Sequence, residues 1–230
     1  MATRALIAEL ARAFQARTGQ AVALESVGGV EAARRVQAGE SFDVVALARE
    51  AIALLGATGH LVAGSAVDLA QSPVAVAVPA GARRPDISDE GAVRQAVLAA
   101  RSVGTSTGPS GVALARLFQR WEIAGEIQDR IVTPPPGVPI ATLVASGRVE
   151  LGFQQLSELR GVEGIDVLGT LPPAISIVTT FSAAVGATAR LPEAARALIA
   201  FMASPETAGA KRRHGMEPPG AAPAAPGGDR

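Results

Sequence analysis

The chain has no cysteine, no tyrosine and a single tryptophan, and its one lysine is Lys211. Without cysteine there is no disulfide, no thiol nucleophile and no cysteine-ligated metal, and that absence suits either the cytoplasm or the periplasm. Aromatic residues at 3% leave too few flat rings for platforms that stack bases or sugars. Charge of either sign is not in excess: 21 Lys and Arg stand against 21 Asp and Glu, so no broad basic face invites nucleic acid or an anionic membrane. There are two histidines, His60 in ATGHLV and His214 in KRRHGM. Both read as surface or helix-end residues, and the KRRHG run reads as a solvated basic helix terminus that favours the helix dipole. Ligation of a metal by His and Cys is unsupported, and neither a phosphate-binding Walker loop nor a dinucleotide fingerprint occurs, since VGGV lacks the third glycine. No metal and no cofactor are expected.

Long apolar runs of the membrane type are missing as well. The uncharged stretch 171–189 contains Pro172, Pro173 and several Ser and Thr, and is β-branched rather than leucine-rich, so an extended strand is expected there and no membrane insertion. At the start, MATRALIAELARAF places Arg4, Glu9 and Arg12 among its apolar positions, which breaks the continuous core of a secretory signal.

What remains is a chain of 230 residues, 48% of them hydrophobic, enough for one large domain or two lobes of about 100 residues each. Helical and strand patterns alternate along it. Leu6, Leu10, Ala13 and Phe14 mark a helix stopped by Thr18 and Gly19, and AVALESV reads as a strand. Further helices are expected over 30–38, near 52–55, over 89–100 with Ser88 as the cap, over 109–121, 140–146, 192–203 and 205–214. FDVVALA, SPVAVAVPA, VELGFQQ, GIDVLG and ISIVTTFSAAV read as strands, RSVGTS as strand and loop, and a Pro, Gly and Ala tail from about Pro218 is expected to be disordered. Strands apolar on both faces and separated by helices predict an α/β protein with parallel sheets covered on both sides. The two longest runs, SPVAVAV and ISIVTTFSAAV, bracket about 100 residues and would be strands crossing between two lobes.

One stretch points to chemistry. GTSTGPSGVALARLF, residues 104–118, runs from a loop rich in small and hydroxyl side chains into a helix with no charge before Arg116. The first turn of a helix leaves backbone N–H groups without intrahelical partners and carries roughly half a positive charge, which makes a site for an anion. Gly108 and Gly111 allow close backbone approach, Pro109 suits the first turn, and Ser106, Thr107 and Ser110 can donate hydrogen bonds. A second strand-to-helix turn of this type is SVGGV with Gly28 and Gly29; a third is Pro136 and Gly137 ahead of Leu143. Gln154 and Gln155 end VELGFQQ, where open α/β sheets keep their ligands; Gln155 is the expected ligand contact and Gln154 the tie to a crossing strand.

The order SVGGVEAARRVQAGESFDVVALA, STGPSGVALARLF, TLVASGRVELGFQQLSEL, IAFMASPETAGAKRRHGM resembles the periplasmic molybdate-binding proteins and their relatives, the type 2 solute-binding proteins of ABC transporters. The resemblance covers nearly the whole chain and rests on the order of the motifs more than on any one of them. It implies two Rossmann-like lobes joined by two crossing strands, lobe one over 1–71 and 177–230 and lobe two over 72–176. It also implies a hinged closure around one small anion in the cleft and delivery of that anion to a membrane permease, with no nucleic acid and no catalysis. The family's first anion-holding turn falls at Ala2, Thr3 and Arg4, its second hydroxyl position at or beside Gly29, and its cleft tyrosine at Gln155. Fewer compact hydroxyls, two amides and Arg4 favour a larger anion such as an organic carboxylate over molybdate. The family's first central strand precedes Ala2, so a start upstream is expected: the protein is periplasmic if the chain is truncated at its N-terminus and cytoplasmic if the given start is genuine. Two alternatives stay open. One is an isomerase of a small polycarboxylic acid on this scaffold, with Glu25, Asp43 or Glu158 as conceivable bases; the other is a cytoplasmic ligand-sensing domain.

Overall fold

The computed structural model describes residues 2–135 and 137–220; of the tail expected to be disordered, 221–230 lie outside the described residues. The described chain divides into two compact units, 2–72 with 179–220, and 73–178. It passes from one to the other twice, once within strand β2 (Val67–Pro79) and once at the start of strand β7 (Val178–Val185).

The first unit is built from helix α1 (Arg4–Thr18), α2 (Gly29–Gln37), β1 (Val44–Ala48), α3 (Arg49–Ala57), the start of β2, most of β7, α9 (Pro192–Ala203) and α10 (Ala208–Arg213). In α1, Leu6, Leu10 and Phe14 recur every four residues and so form one buried stripe. Gly19 ends the helix in the left-handed conformation at φ 74°, donating its N–H to the Gln15 carbonyl. The stripe packs with Ala183 and Val185 of β7 and with Leu198, Ile199 and Met202 of α9. Ala184, between them, turns to the other face and joins Val45, Leu47, Ile52 and Leu55. One strand is thus buried on both faces, which accounts for its unbroken apolar sequence. The single lysine, Lys211, is buried in α10, and burial pushes its ammonium pKa down. The basic run is therefore the solvated face expected from sequence only at its arginines: Arg212 and Arg213 are exposed, Lys211 is not, and Arg213 and His214 both reach Glu9 on α1, at 2.5 and 2.8 Å.

The second unit holds the rest of β2, α4 (Glu90–Ala99), β3 (Val103–Gly104), α5 (Pro109–Arg120), α6 (Ala124–Ile127), β4 (Ile131–Val132), α7 (Ile140–Ala145), β5 (Leu151–Gln155), α8 (Leu156–Leu159) and β6 (Ile165–Thr170). β5 lies between β2 and β3, β4 follows β3, and β6 takes the other edge of β2. Val74, Val76, Leu151 and Phe153 face α4 and α5, whereas Ala75 and Ala77 share a cluster with Ile140 and Val144 of α7. α7 sits close because Gly152 lies beneath it: a Cβ there would stand 2.5 Å from Val144 Cγ2 and 3.0 Å from Ile140 Cγ2.

Three expectations are corrected. β3 is parallel to β4 and to β5, but β1 with β7, and β2 with β5 and with β6, are antiparallel. Burial on both faces was read as parallel pairing, yet the long strands that run between the units are covered on both faces too. AVALESV, expected as a strand, has no regular structure; the Val22 N–H bonds to Gln15 Oε1 at 3.3 Å rather than to a neighbouring strand, and Leu24 is exposed. The cap of α4 is Asp89, whose Oδ1 accepts from Ala92 N at 2.8 Å, and not Ser88. The short elements α6, α8 and β4 carry too little periodicity to be read in advance.

Gly152→Ala is expected to lower the unfolding free energy by about 1–3 kcal/mol through overpacking against α7, measured by urea denaturation. An unchanged midpoint would contradict the close approach of α7 to β5.

Candidate anion-binding site

Because β3 and β5 are parallel neighbours, with Gly104 opposite Gly152, their C-terminal ends lie side by side in the second unit. The loop into α5 leaves from one and Gln154 and Gln155 end the other. The cap position of α5 is Gly108, extended at φ −82° and ψ −173°, which offers no side-chain hydrogen bond to the helix; Pro109 opens the helix and no acidic residue occupies its first turn. The first-turn amides therefore keep their partial positive charge without a local carboxylate. Ser110 is 4% exposed, and its Oγ lies 3.1 Å from Ser106 Oγ. Gly111 is required by contact: a Cβ there would fall 1.7 Å from the Ser106 carbonyl oxygen. The loop is folded down onto the helix, with Thr105 buried beneath it and Thr107 exposed.

The glutamines separate by strand alternation. Gln155 is buried and follows Leu151 and Phe153 on the face that packs against α5, and its partner Val74 belongs to the same cluster. Gln154 is on the opposite face, where its Oε1 accepts from Ala141 N, in the first turn of α7, at 3.1 Å. It ties a helix in place, not the crossing strand expected of it. Gln154 also hydrogen-bonds Glu158, whose pKa is raised because burial outweighs the effects that lower it, that bond among them. Gly137 is exposed at φ 86°, in a turn closed by Val138 N and the Pro135 carbonyl at 3.1 Å, three residues ahead of α7. Pro136 lies outside the described residues.

In the first unit, Thr3 is the cap residue of α1 but makes no side-chain cap bond, and Arg4 is exposed on the first turn. Gly28 caps α2, again with no side-chain bond. Neither Gly28 nor Gly29 has positive φ. A Cβ at Gly28 would meet nothing within 4 Å, and one at Gly29 only Leu47 Cδ2 at 3.8 Å. Backbone conformation and packing therefore do not require these glycines, and their effect is to leave the amides of the α2 entrance open. Two other helix starts are closed by carboxylates: Asp89 on α4, and Asp43, which accepts from Arg190 N and Leu191 N at 2.7 and 2.9 Å ahead of α9.

Two of the three conceivable bases are thus committed elsewhere. Asp43 holds backbone N–H groups, and Glu25 pairs with Arg35 at 2.7 Å. His60 sits beside Val36, Phe42 and Thr188 in the first unit. Sequence reasoning missed Arg49, which follows β1 directly and donates from Nε to Asp68 Oδ1 at 3.0 Å; Ser182 Oγ donates to the same oxygen at 2.6 Å. Burial pulls the Asp68 pKa up, but Ser182 and Arg49 outweigh it and hold the carboxyl below its usual range. An arginine at the junction of a strand end and a helix start was the available signal.

Comparison with known proteins places the chain in a family. Residues 1–217 match the family described as bacterial extracellular solute-binding protein, and the chain belongs to it. It is 39% identical over 223 residues to an aconitate isomerase from a Pseudomonas species, covering 94% of this chain and 85% of that protein. The fold is that of the type 2 periplasmic binding proteins. The periplasmic molybdate-binding protein of Azotobacter vinelandii superposes with a TM-score of 0.77 at 21% identity, over 93% of this chain and 94% of the other. The substrate-binding domain of a molybdenum ABC transporter component from Clostridium difficile gives 0.73 at 13% identity, over 94% of each chain. Among the described residues no helix is long and apolar enough to cross a membrane.

Gly111→Ala is expected to push the Ser106 carbonyl off the α5 entrance and to weaken binding of whichever of molybdate and aconitate the wild type takes by at least about tenfold, or 1.4 kcal/mol, measured by titration calorimetry. Unchanged affinity would remove α5 from the site.

Proposed function

We propose that this protein captures a small organic polycarboxylate. Its contacts in the second unit are the α5 entrance, with Ser106, Thr107, Ser110 and Gly111, and Gln155. In the first unit the residues that can take an anion are Thr3, Arg4, Gly28 and Gly29. Gln154 serves as a brace, and Gly137 stands in the turn leading to α7. The observation that carries the reading is the α5 first turn, uncapped and free of acidic residues, at the same sheet end as a buried amide and a buried hydroxyl. Backbone amides and hydroxyls favour an anion without fixing its shape. The scarcity of compact hydroxyls at the α1 and α2 entrances and the exposed guanidinium of Arg4 favour a carboxylate over a tetrahedral oxyanion. In line with the family, the guest would be delivered to the permease of an ABC transporter from the periplasm.

A second reading has its own support. The 39% identity to an aconitate isomerase over nearly the whole chain favours turnover of the bound acid as well as capture.

A thermal-shift screen of oxyanions and of di- and tricarboxylates, with proton NMR of each mixture to detect conversion, tests both readings. A ligand present at a hundred times its Kd adds about 2.7 kcal/mol, which at this chain length raises Tm by roughly 5–10 °C. Stabilisation by cis- or trans-aconitate and not by molybdate is the expected outcome. Stabilisation by molybdate alone, or by no anion, would contradict the carboxylate reading.

A further inference from the structure

Resting on the carboxylate reading, we propose that Arg49 is a further ligand-binding residue of the first unit: the outer edge of its guanidinium takes both oxygens of one carboxylate of the guest, while Asp68 and Ser182 hold the side chain in place. Arg49 opens α3 directly after the last residue of β1, and among the described residues it is the only arginine that immediately follows a strand. The C-terminal ends of strands are where open α/β sheets keep their ligands. Its side chain is fixed along one edge and open along the other. Nε donates to Asp68 Oδ1 at 3.0 Å and Nη2 donates to Asp68 Oδ2, which uses two of the five N–H groups. The others, both on Nη1 and one on Nη2, have no partner among the described residues, and the side chain is 53% exposed. That edge presents two parallel N–H groups, the geometry that a planar carboxylate accepts bidentately.

The anchor goes deeper than an ordinary surface ion pair. Asp68 Oδ1 also accepts from Ser182 Oγ at 2.6 Å, and Ser182 is buried in β7. A chain of bonds thus runs from a buried hydroxyl through a carboxylate on β2 to a guanidinium at the surface, and it orders Arg49 before a ligand arrives, which lowers the entropic cost of binding. Arg17 and Arg34 also pair with carboxylates, but there both partners are exposed, and Arg4 has no such anchor among the described residues. The cluster also lies beside the α2 entrance. Leu47 stands opposite Ser182 in the β1 and β7 pair and packs with Ala184 on the face that α2 and α3 cover. A Cβ at Gly29, in the first turn of α2, would stand 3.8 Å from Leu47 Cδ2. Arg49 and the uncapped amides of α2 therefore belong to one end of one sheet face. Of the acidic residues there, Glu31 is already paired with Arg34 at 2.7 Å, and Glu50, exposed on α3, is not bonded to Arg49.

The test uses the full chain, with trans-aconitate and molybdate titrated calorimetrically into wild type, Arg49→Gln, Arg49→Lys, Asp68→Asn and the Arg49→Gln, Asp68→Asn double variant, each with its unfolding midpoint measured. The expected result is binding of trans-aconitate by the wild type and a loss of about 10–100-fold in Arg49→Gln. Arg49→Lys keeps the charge without the fork and is expected to stay at least about tenfold weaker than the wild type. Asp68→Asn is expected to weaken binding about threefold or more when Arg49 is present and by less than about twofold in the Arg49→Gln background, since it acts only through the arginine. An ion pair with a purely structural role would move the unfolding midpoints and leave these affinities unchanged. Affinity of folded Arg49→Gln, or of Arg49→Lys should the glutamine variant not fold, within about twofold of the wild type overturns the assignment and leaves the carboxylate reading intact. Wild type that binds molybdate but not trans-aconitate, or neither, overturns the carboxylate reading and the role of Arg49 with it.

Discussion

The backbone amides at the start of α5 have no side-chain cap and no neighbouring carboxylate in their turn, and most of what is distinctive about the second unit follows from keeping them so. The approach of Gly111 to the Ser106 carbonyl lays the loop flat on the helix, where a side chain at position 111 would lift it. Ser106 and Ser110 then stand hydroxyl to hydroxyl at the entrance. Parallel pairing of β3 and β5 brings the end of β5, with its buried glutamine, to the same edge. The arrangement supplies hydrogen-bond donors and positive potential without a formal charge, which suits reversible binding of an anion more than permanent pairing with a side chain.

Two other helix starts are closed by carboxylates. Asp89 caps α4, and Asp43 gathers the N–H groups that lead into α9. α1, α2 and α5, with cap residues Thr3, Gly28 and Gly108, make no side-chain cap bond, and of these α1 and α5 have no acidic residue in the first turn. At Gly28 and Gly29 neither a left-handed backbone nor a close neighbour demands glycine, so a simple tight turn does not explain the pair. What separates capture from catalysis on such a scaffold is a group able to move a proton, and the carboxylates of this chain differ in how far they are already engaged. The family membership and the identity to an aconitate isomerase come from the same sequence, and a binding site for a small solute is the common requirement of both.

The α/β class and most helices were legible because 3.6-residue stripes such as Leu6, Leu10 and Phe14, and stops such as Gly19, are local. The helix entrances were legible for the same reason. Strand direction was not: Ala183, Ala184 and Val185 are apolar in an antiparallel pair because both faces are covered, and apolar sequence reports cover rather than direction. AVALESV failed because strand propensity needs a partner, and here Gln15 takes the Val22 amide. The division of labour between Gln154 and Gln155 was visible as alternation, but the partner of Gln154 on α7 depends on a contact thirteen residues away. The burial of Lys211 and the bidentate grip of Asp68 on Arg49 are tertiary facts with only faint local signals.

The central claim is that the guest is held by the N–H groups of the α5 first turn. Titration of ¹⁵N-labelled protein with aconitate, followed through the amide resonances, tests it most directly. The account predicts that Ser110 and Gly111 show the largest downfield amide proton shifts, as new hydrogen bonds to carboxylate oxygens form. Saturable binding that leaves both resonances unmoved would contradict it.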